Sequence, residues 1–212
     1  MVFTGGSGAL NRNETVKLVI TGGPCAGKTS ALERLRTSFE KEGWRVVTVP
    51  ETATELILGG ITPWGTPGFQ GIRVARQLEA EGKALREAQT SALIVFDRGI
   101  ADTRAYTTAG EYAAILRENG LTEEAVMDRY DAVIHLTSAA KGAPESYSLQ
   151  SNAARTETTQ EAASLDDRIL DAWAAHPNRV ILPASESFDE KLDSLLLAVA
   201  NLAGALGNSF VE

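Results

Sequence analysis

The chain has one cysteine, two histidines and no run of lysine or arginine anywhere in its 212 residues. A single thiol, Cys25, forms no internal disulfide, so the fold rests on packing rather than cross-links. As a small residue in a glycine-rich turn it reads as a filler. His135 and His176 lack the spacing of a metal site and read as structural. Net charge is −8, and with no basic stretch this balance argues against a protein that grips long nucleic acid, while a single nucleotide still fits a local pocket. Long apolar runs are missing too: the greasiest stretch, Leu195 to Leu206, is too short to span a bilayer and carries Asn201. No targeting segment is evident. The start, MVFTGGSGALNRNET, reads as a flexible tail over 1–14, and its GGSG has no strand ahead of it. The expected location is the cytoplasm. No repeat, low-complexity tract or linker marks a second domain, and 43% hydrophobic residues suffice for one core over 15–212.

What the chain does have is concentrated at residues 18–36, LVITGGPCAGKTSALERLR: an apolar strand, a glycine-rich turn and an amphipathic helix. Gly22, Gly27, Lys28 and Thr29 satisfy G-x-x-x-x-G-K-[ST] in every position. Glycines admit backbone angles that a Cβ forbids, so successive N–H groups converge on phosphate oxygens, and the following helix points its positive end at the same anion. The loop Gly22, Gly23, Pro24, Cys25, Ala26, Gly27, Lys28, Thr29 and Ser30 is therefore read as the cradle of a nucleoside triphosphate. Lys28 bridges its outer phosphates and the Thr29 hydroxyl ligates Mg²⁺.

Strands and helices alternate along the rest. Strands are expected over Val16–Thr21, Arg45–Val49, Ala92–Phe96, Ala132–Leu136 and Arg179–Leu182, each short, apolar and β-branched, as strands buried on both faces should be. Helices are expected over Lys28–Lys41, Thr52–Leu58, Pro67–Gln89, Ile100–Asn119 with a break, Thr122–Arg129, Thr159–Ala175 and Phe188–Ala205. Capping boxes are read at Thr52 with Glu55, Thr158 with Glu161, and Ser187 with Glu190. The fold class that follows is α/β: a three-layer P-loop NTPase fold with a five-stranded parallel sheet, helices on both faces, and a kinase-like lid.

Open α/β sheets hold ligands at the carboxyl ends of their strands. Strand two ends in Glu51, a carboxylate placed to take a proton from an acceptor hydroxyl or to ligate Mg²⁺ through water; Glu55 is accounted for by its cap. Strand three runs into Asp97, as a second Mg²⁺ anchor beside the phosphate loop requires, and Arg98 follows with a planar fork suited to phosphate or carboxylate. Asp102 and Arg104, one turn on, are grouped with Arg98 as acceptor-binding. After strand four the polar stretch 137–158 reads as a lid whose Arg155 could swing over the transferring phosphate, with Arg168 as the fallback. Lys28, Glu51, Asp97 and Arg155 form the expected catalytic set, and Thr29 with Asp97 the metal set.

These segments (GGPCAGKTS, PETATEL, FDRGIADTRAY and the lid arginine in NAARTETTQEAASLDDRIL) resemble the AAA-type ATP-binding domains related to nicotinamide riboside kinase, a group with nucleoside kinases and a GTP- and lipid-binding trafficking protein among its relatives. The resemblance covers roughly residues 16–205. It implies a strand-two carboxylate acting as base or metal partner, which falls on Glu51, and a strand-three aspartate, which falls on Asp97. Kinase lids of this group often carry two or more arginines; here there is one. No Asn-Lys-x-Asp guanine motif exists, and Arg98 stands where a mechanochemical ATPase would carry Glu. The expected activity is phosphoryl transfer from ATP, with GTP open as donor, to a small hydroxyl-bearing acceptor such as a nucleoside. A nucleotide-dependent switch or lipid-binding module is the alternative. The partners are thus a nucleoside triphosphate and a small molecule, without long nucleic acid or a transmembrane segment, and with a homodimer left open.

Overall fold

The computed structural model describes residues 15–89, 92–142, 158–185 and 187–208. The elements run β1 (Val16–Thr21), α1 (Lys28–Lys41), β2 (Val46–Val49), α2 (Thr52–Leu58), α3 (Phe69–Ala88), β3 (Leu93–Asp97), a 3₁₀ segment (Ile100–Tyr106), α4 (Ala109–Glu118), α5 (Glu123–Met127), β4 (Ala132–Leu136), α6 (Ala139–Gly142), α7 (Thr159–Ala172), β5 (Arg179–Leu182) and α8 (Phe188–Asn208). The five strands form one parallel sheet in the order β2-β3-β1-β4-β5.

Side-chain alternation along the strands sorts the core into two layers. Val16, Leu18 and Ile20 of β1, with Leu93, Val95, Ala132 and Ile134, pack against Ala31, Leu35 and Phe39 of α1 and Leu192, Leu195 and Val199 of α8. Val19, Ile94, Phe96 and Val133 face the other way, onto Val74 and Ala84 of α3, Tyr112 and Leu116 of α4, and Trp173. The three central strands are therefore apolar on both faces, whereas Thr48 of β2 and Ile181 of β5, on the two edge strands, are exposed.

Differences from expectation have local causes. Arg45 is left out of β2 yet still accepts Leu93 N–H at 2.8 Å, and β3 extends to include Asp97, which pairs with Ile20. The Ile100–Asn119 region divides into the 3₁₀ segment and α4, which Thr108 and Glu111 cap reciprocally. The Thr158–Glu161 box forms; at Ser187 only the hydroxyl's acceptance of Glu190 N–H, at 3.3 Å, is seen. The Thr52–Glu55 box does not form: Glu51 is the N-cap residue of α2, and the buried Thr52 hydroxyl donates to Gln77 Oε1 at 3.1 Å. Thr137–Gly142, the start of the stretch assigned to a lid, is tied to the body. Thr137 N–H donates to Leu182 O at 2.9 Å, Ser138 is buried, and α6 follows. The remainder, 143–157 with Arg155, and the tail 1–14 lie outside the described residues. Among the described residues no helix is long and apolar enough to cross a membrane.

Candidate functional site

The phosphate loop leaves β1 and turns back over its end. Gly22 has φ 139°, and a Cβ there would sit 2.1 Å from Leu136 O; Gly27 has φ 86°, and a Cβ would sit 2.5 Å from the Phe188 ring. Both positions demand glycine for two reasons, backbone angle and space. Cys25 also adopts positive φ, at 55°.

The loop's carbonyl side is held from several directions. Lys191 Nζ of α8 donates to Ala26 O at 3.1 Å and to Thr137 O at 2.7 Å. The Ser138 hydroxyl donates to Pro24 O. Asp166 Oδ1 of α7 accepts Gly23 N–H at 2.7 Å and Ser138 N–H at 3.2 Å, with His135 Nε2 3.2 Å from the same oxygen and Lys141 Nζ 3.1 Å from the other. Burial alone would raise the Asp166 pKa, but the His135 contact and the Gly23 and Lys141 hydrogen bonds hold it down to about 2. Lys191, by contrast, is pulled down to about 8 by burial, with Asp166 opposing. Lys28 Nζ donates to Gly22 O at 3.1 Å and Gly23 O at 3.2 Å, while Thr29 and Ser30 are exposed at the start of α1. The carbonyls of Gly22, Gly23, Pro24 and Ala26 are thus all occupied, and the Lys28 cation beside them gives the loop a charge that suits an anion.

The register Val49–Phe96 and Ile20–Asp97 sets the ends of β2, β3 and β1 side by side. Arg98, at φ 68°, is the bridge between them. Its Nε donates to Glu51 Oε1 at 2.6 Å, and Nη1 lies 3.5 Å from Asp102 Oδ1. Glu51 Oε2 accepts from Thr54 at 3.0 Å. Burial would raise the Glu51 pKa, but the Arg98 charge, then Lys28 and the two hydrogen bonds, bring it to about 2. Asp97 goes the other way, up to about 6, because burial outweighs the attraction of Lys28. Its buried Oδ1 has no hydrogen-bond partner.

Two residues grouped as acceptor-binding already have partners. Asp102 is wholly buried. Beside Arg98, it accepts from the Thr21 hydroxyl on one oxygen and from Gly99 N–H (2.9 Å) and Trp173 Nε1 (3.1 Å) on the other; its carboxylate is a bracket between β1 and the 3₁₀ segment. Arg104 points to the surface and pairs with exposed Glu123 at 3.7 Å. Arg168 is exposed and lines a surface pocket of about 450 Å³ with Tyr106, Thr108 and Glu111. His176 is structural, its Nε2 3.0 Å from Tyr130 O and its Nδ1 accepting Asn178 N–H.

The sequence reading missed a buried polar line on α3. Arg73, Gln77 and Glu81 recur every four residues, on one helical face, and all three are buried. Gln77 Nε2 reaches Glu81 Oε1 (3.1 Å) and Arg98 O (3.4 Å); Glu81 accepts from Tyr130 at 2.6 Å and twice from Arg129. Three polar side chains at that spacing were the available signal. Ser138 and Lys191 carried none, since they hold the loop through backbone carbonyls more than 100 residues away, and the Asp166 contact with Gly23 N–H is equally remote.

No curated protein matches the sequence. The profile of a protein family described as an AAA domain matches residues 17–191, from β1 to the lysine beneath the phosphate loop, and the chain belongs to that family.

Proposed function

We propose that this domain is a Mg²⁺-dependent phosphotransferase using ATP, with GTP open as the donor instead, and acting on a small hydroxyl-bearing acceptor such as a nucleoside. One observation carries the reading: Glu51 from the tip of β2 meets Arg98 from the tip of β3, on the strand adjacent to the one that feeds the loop. A switch needs no carboxylate at that point. The resemblance of these segments to AAA-type ATP-binding domains related to nicotinamide riboside kinase supports it further.

In this reading the loop N–H groups and Lys28 take the β- and γ-phosphates, Lys28 exchanging its loop carbonyls for phosphate oxygens. Asp97 and Thr29 would hold Mg²⁺, which when bound neutralises charge on the phosphoryl oxygens. The donors fit: a buried carboxylate oxygen with no hydrogen-bond partner suits a hard cation or its water. Glu51, kept ionised by Arg98, orients the acceptor O–H. It receives the proton as the acceptor oxygen bonds to the γ-phosphorus, the bond from that phosphorus to the β–γ bridging oxygen breaks, and the nucleoside diphosphate leaves. Arg155 supplies the lid cation.

A nucleotide-dependent switch or lipid-binding regulator with little turnover is the second reading. It is favoured by the fact that both Glu51 oxygens already have donors. Transfer from γ-labelled ATP across a panel of nucleosides and related metabolites decides. Labelled product establishes the kinase; none, together with partner binding that depends on the loaded nucleotide, establishes the switch.

A further inference from the structure

Resting on the phosphotransferase reading, we infer that the acceptor carries an anionic group, a phosphate or carboxylate, and that Arg73 of α3 binds it together with Arg98. Arg73 is 3% exposed, yet its partners are neutral: Nε donates to Gln70 Oε1 at 3.2 Å and Nη2 to the Thr103 hydroxyl. Among the described residues no carboxylate comes within ion-pairing distance of it. The other buried cations are treated differently. Arg98 has Glu51, while Lys191, held by two carbonyls, sheds its proton more easily because of burial. An arginine has no such escape, and a guanidinium out of water without a counter-ion is costly. An anionic ligand supplies the missing counter-charge.

Arg98 points the same way, since its buried Nη1 has no hydrogen-bond acceptor. The two arginines are joined through their neighbours: Gln77, one turn along α3 from Arg73, donates to Arg98 O at 3.4 Å, and Thr103, which accepts from Arg73, follows Asp102, whose Oδ1 lies 3.5 Å from Arg98 Nη1. Thr103 lies in the 3₁₀ segment that ends at Tyr106, which is 41% exposed. Position separates the anion from the donor phosphates: Lys28 holds to the loop carbonyls of Gly22 and Gly23, whereas Arg73 sits on α3 and holds to Gln70 and to Thr103 of the 3₁₀ segment.

The test is calorimetry on the full chain with a non-hydrolysable MgATP analogue filling the donor site. The titrants are matched pairs: nucleosides against their 5′-monophosphates, and hydroxy acids against their amides. Phosphate and carboxylate sources are separated by which pair responds. The charged member of a pair is expected to bind about tenfold or more tightly than the neutral one. Arg73→Gln should abolish the difference, with a roughly 10- to 150-fold loss for that member, and Arg73→Lys should keep part of it. Equal binding of charged and neutral members, or no anion-dependent binding across the panel, overturns the inference. So does an Arg73→Gln protein that loses the ATP analogue as well, because Arg73 then serves the donor. If Arg73→Gln does not melt cooperatively, Arg73→Lys carries the test, and full retention of the difference rejects bidentate recognition. Anion binding that needs Arg73 without phosphate transfer overturns the kinase reading alone; transfer to a neutral acceptor with no anion preference overturns this inference alone.

Discussion

Lys28 is the side chain whose removal has the plainest consequence. Its ammonium rests on two loop carbonyls, and burial, aided by Arg98, lowers its pKa to about 8, so it is charged at neutral pH but poorly solvated. A phosphate answers both conditions. Lys28→Ala should lose roughly 10- to 150-fold in MgATP affinity while remaining folded, since it gives up only two contacts to loop carbonyls. Calorimetry showing wild-type affinity would reject the loop as the nucleotide site. Glu51→Gln and Asp97→Asn divide the remaining work. Glu51→Gln should leave MgATP affinity nearly intact and lower kcat by about 10²- to 10⁴-fold; Asp97→Asn should weaken the Mg²⁺-dependent part of binding. Wild-type turnover by Glu51→Gln on the labelled acceptor removes its role. The turn at Gly22 and Gly27 was readable from sequence because positive φ and close approach are local backbone requirements. Asp102 and Arg104 were not, since charges just past a strand end do not reveal which way a 3₁₀ turn aims them.

At the level of elements, the central strands were legible because burial on both faces leaves continuous apolar runs, and their order followed from βαβ connectivity only in outline. The letters at Thr52 and Glu55 met the capping pattern, yet the Thr52 hydroxyl was claimed by Gln77 on α3, a partner that i,i+3 spacing does not announce. α3 itself holds the clearest element-level test. Among the described residues, Glu81 is the acceptor for three donors from Arg129 and Tyr130. Glu81→Ala strands a half-buried cation and a buried phenol, and should cost about 3–5 kcal/mol. Exposed Lys83→Ala, on the same helix, should stay within about 0.5 kcal/mol. Denaturant melts of the two variants give the comparison; equal midpoints would mean that Glu81 is not the anchor of this helix.

Across the whole molecule, the phosphate loop is completed by contacts from α7 and α8, and these leave a mark on stability. Lys191 has a folded pKa of about 8 against 10.5 in an open chain. Between those values the unfolded chain holds a proton that the folded one has released, so unfolding takes up a proton and raising the pH stabilises the fold. A neutral amine still has two N–H groups for its two carbonyls, so the contacts survive the deprotonation. The melting temperature of wild type should therefore gain on that of Lys191→Met as pH rises from about 8 towards 10. Parallel curves would show that the lysine titrates normally.

Gly23 is joined to Asp166 across 143 residues, and Ala26 to Lys191 across 165. The loop is spelled out within the first 30 residues but cannot be fastened until the eighth helix has been made. On the ribosome the motif is thus an unfinished clasp for most of synthesis, and a nascent chain stalled before residue 191 holds all the signature letters without their anchorage. Truncation ahead of α8 is thus expected to weaken nucleotide capture with every loop residue still in place.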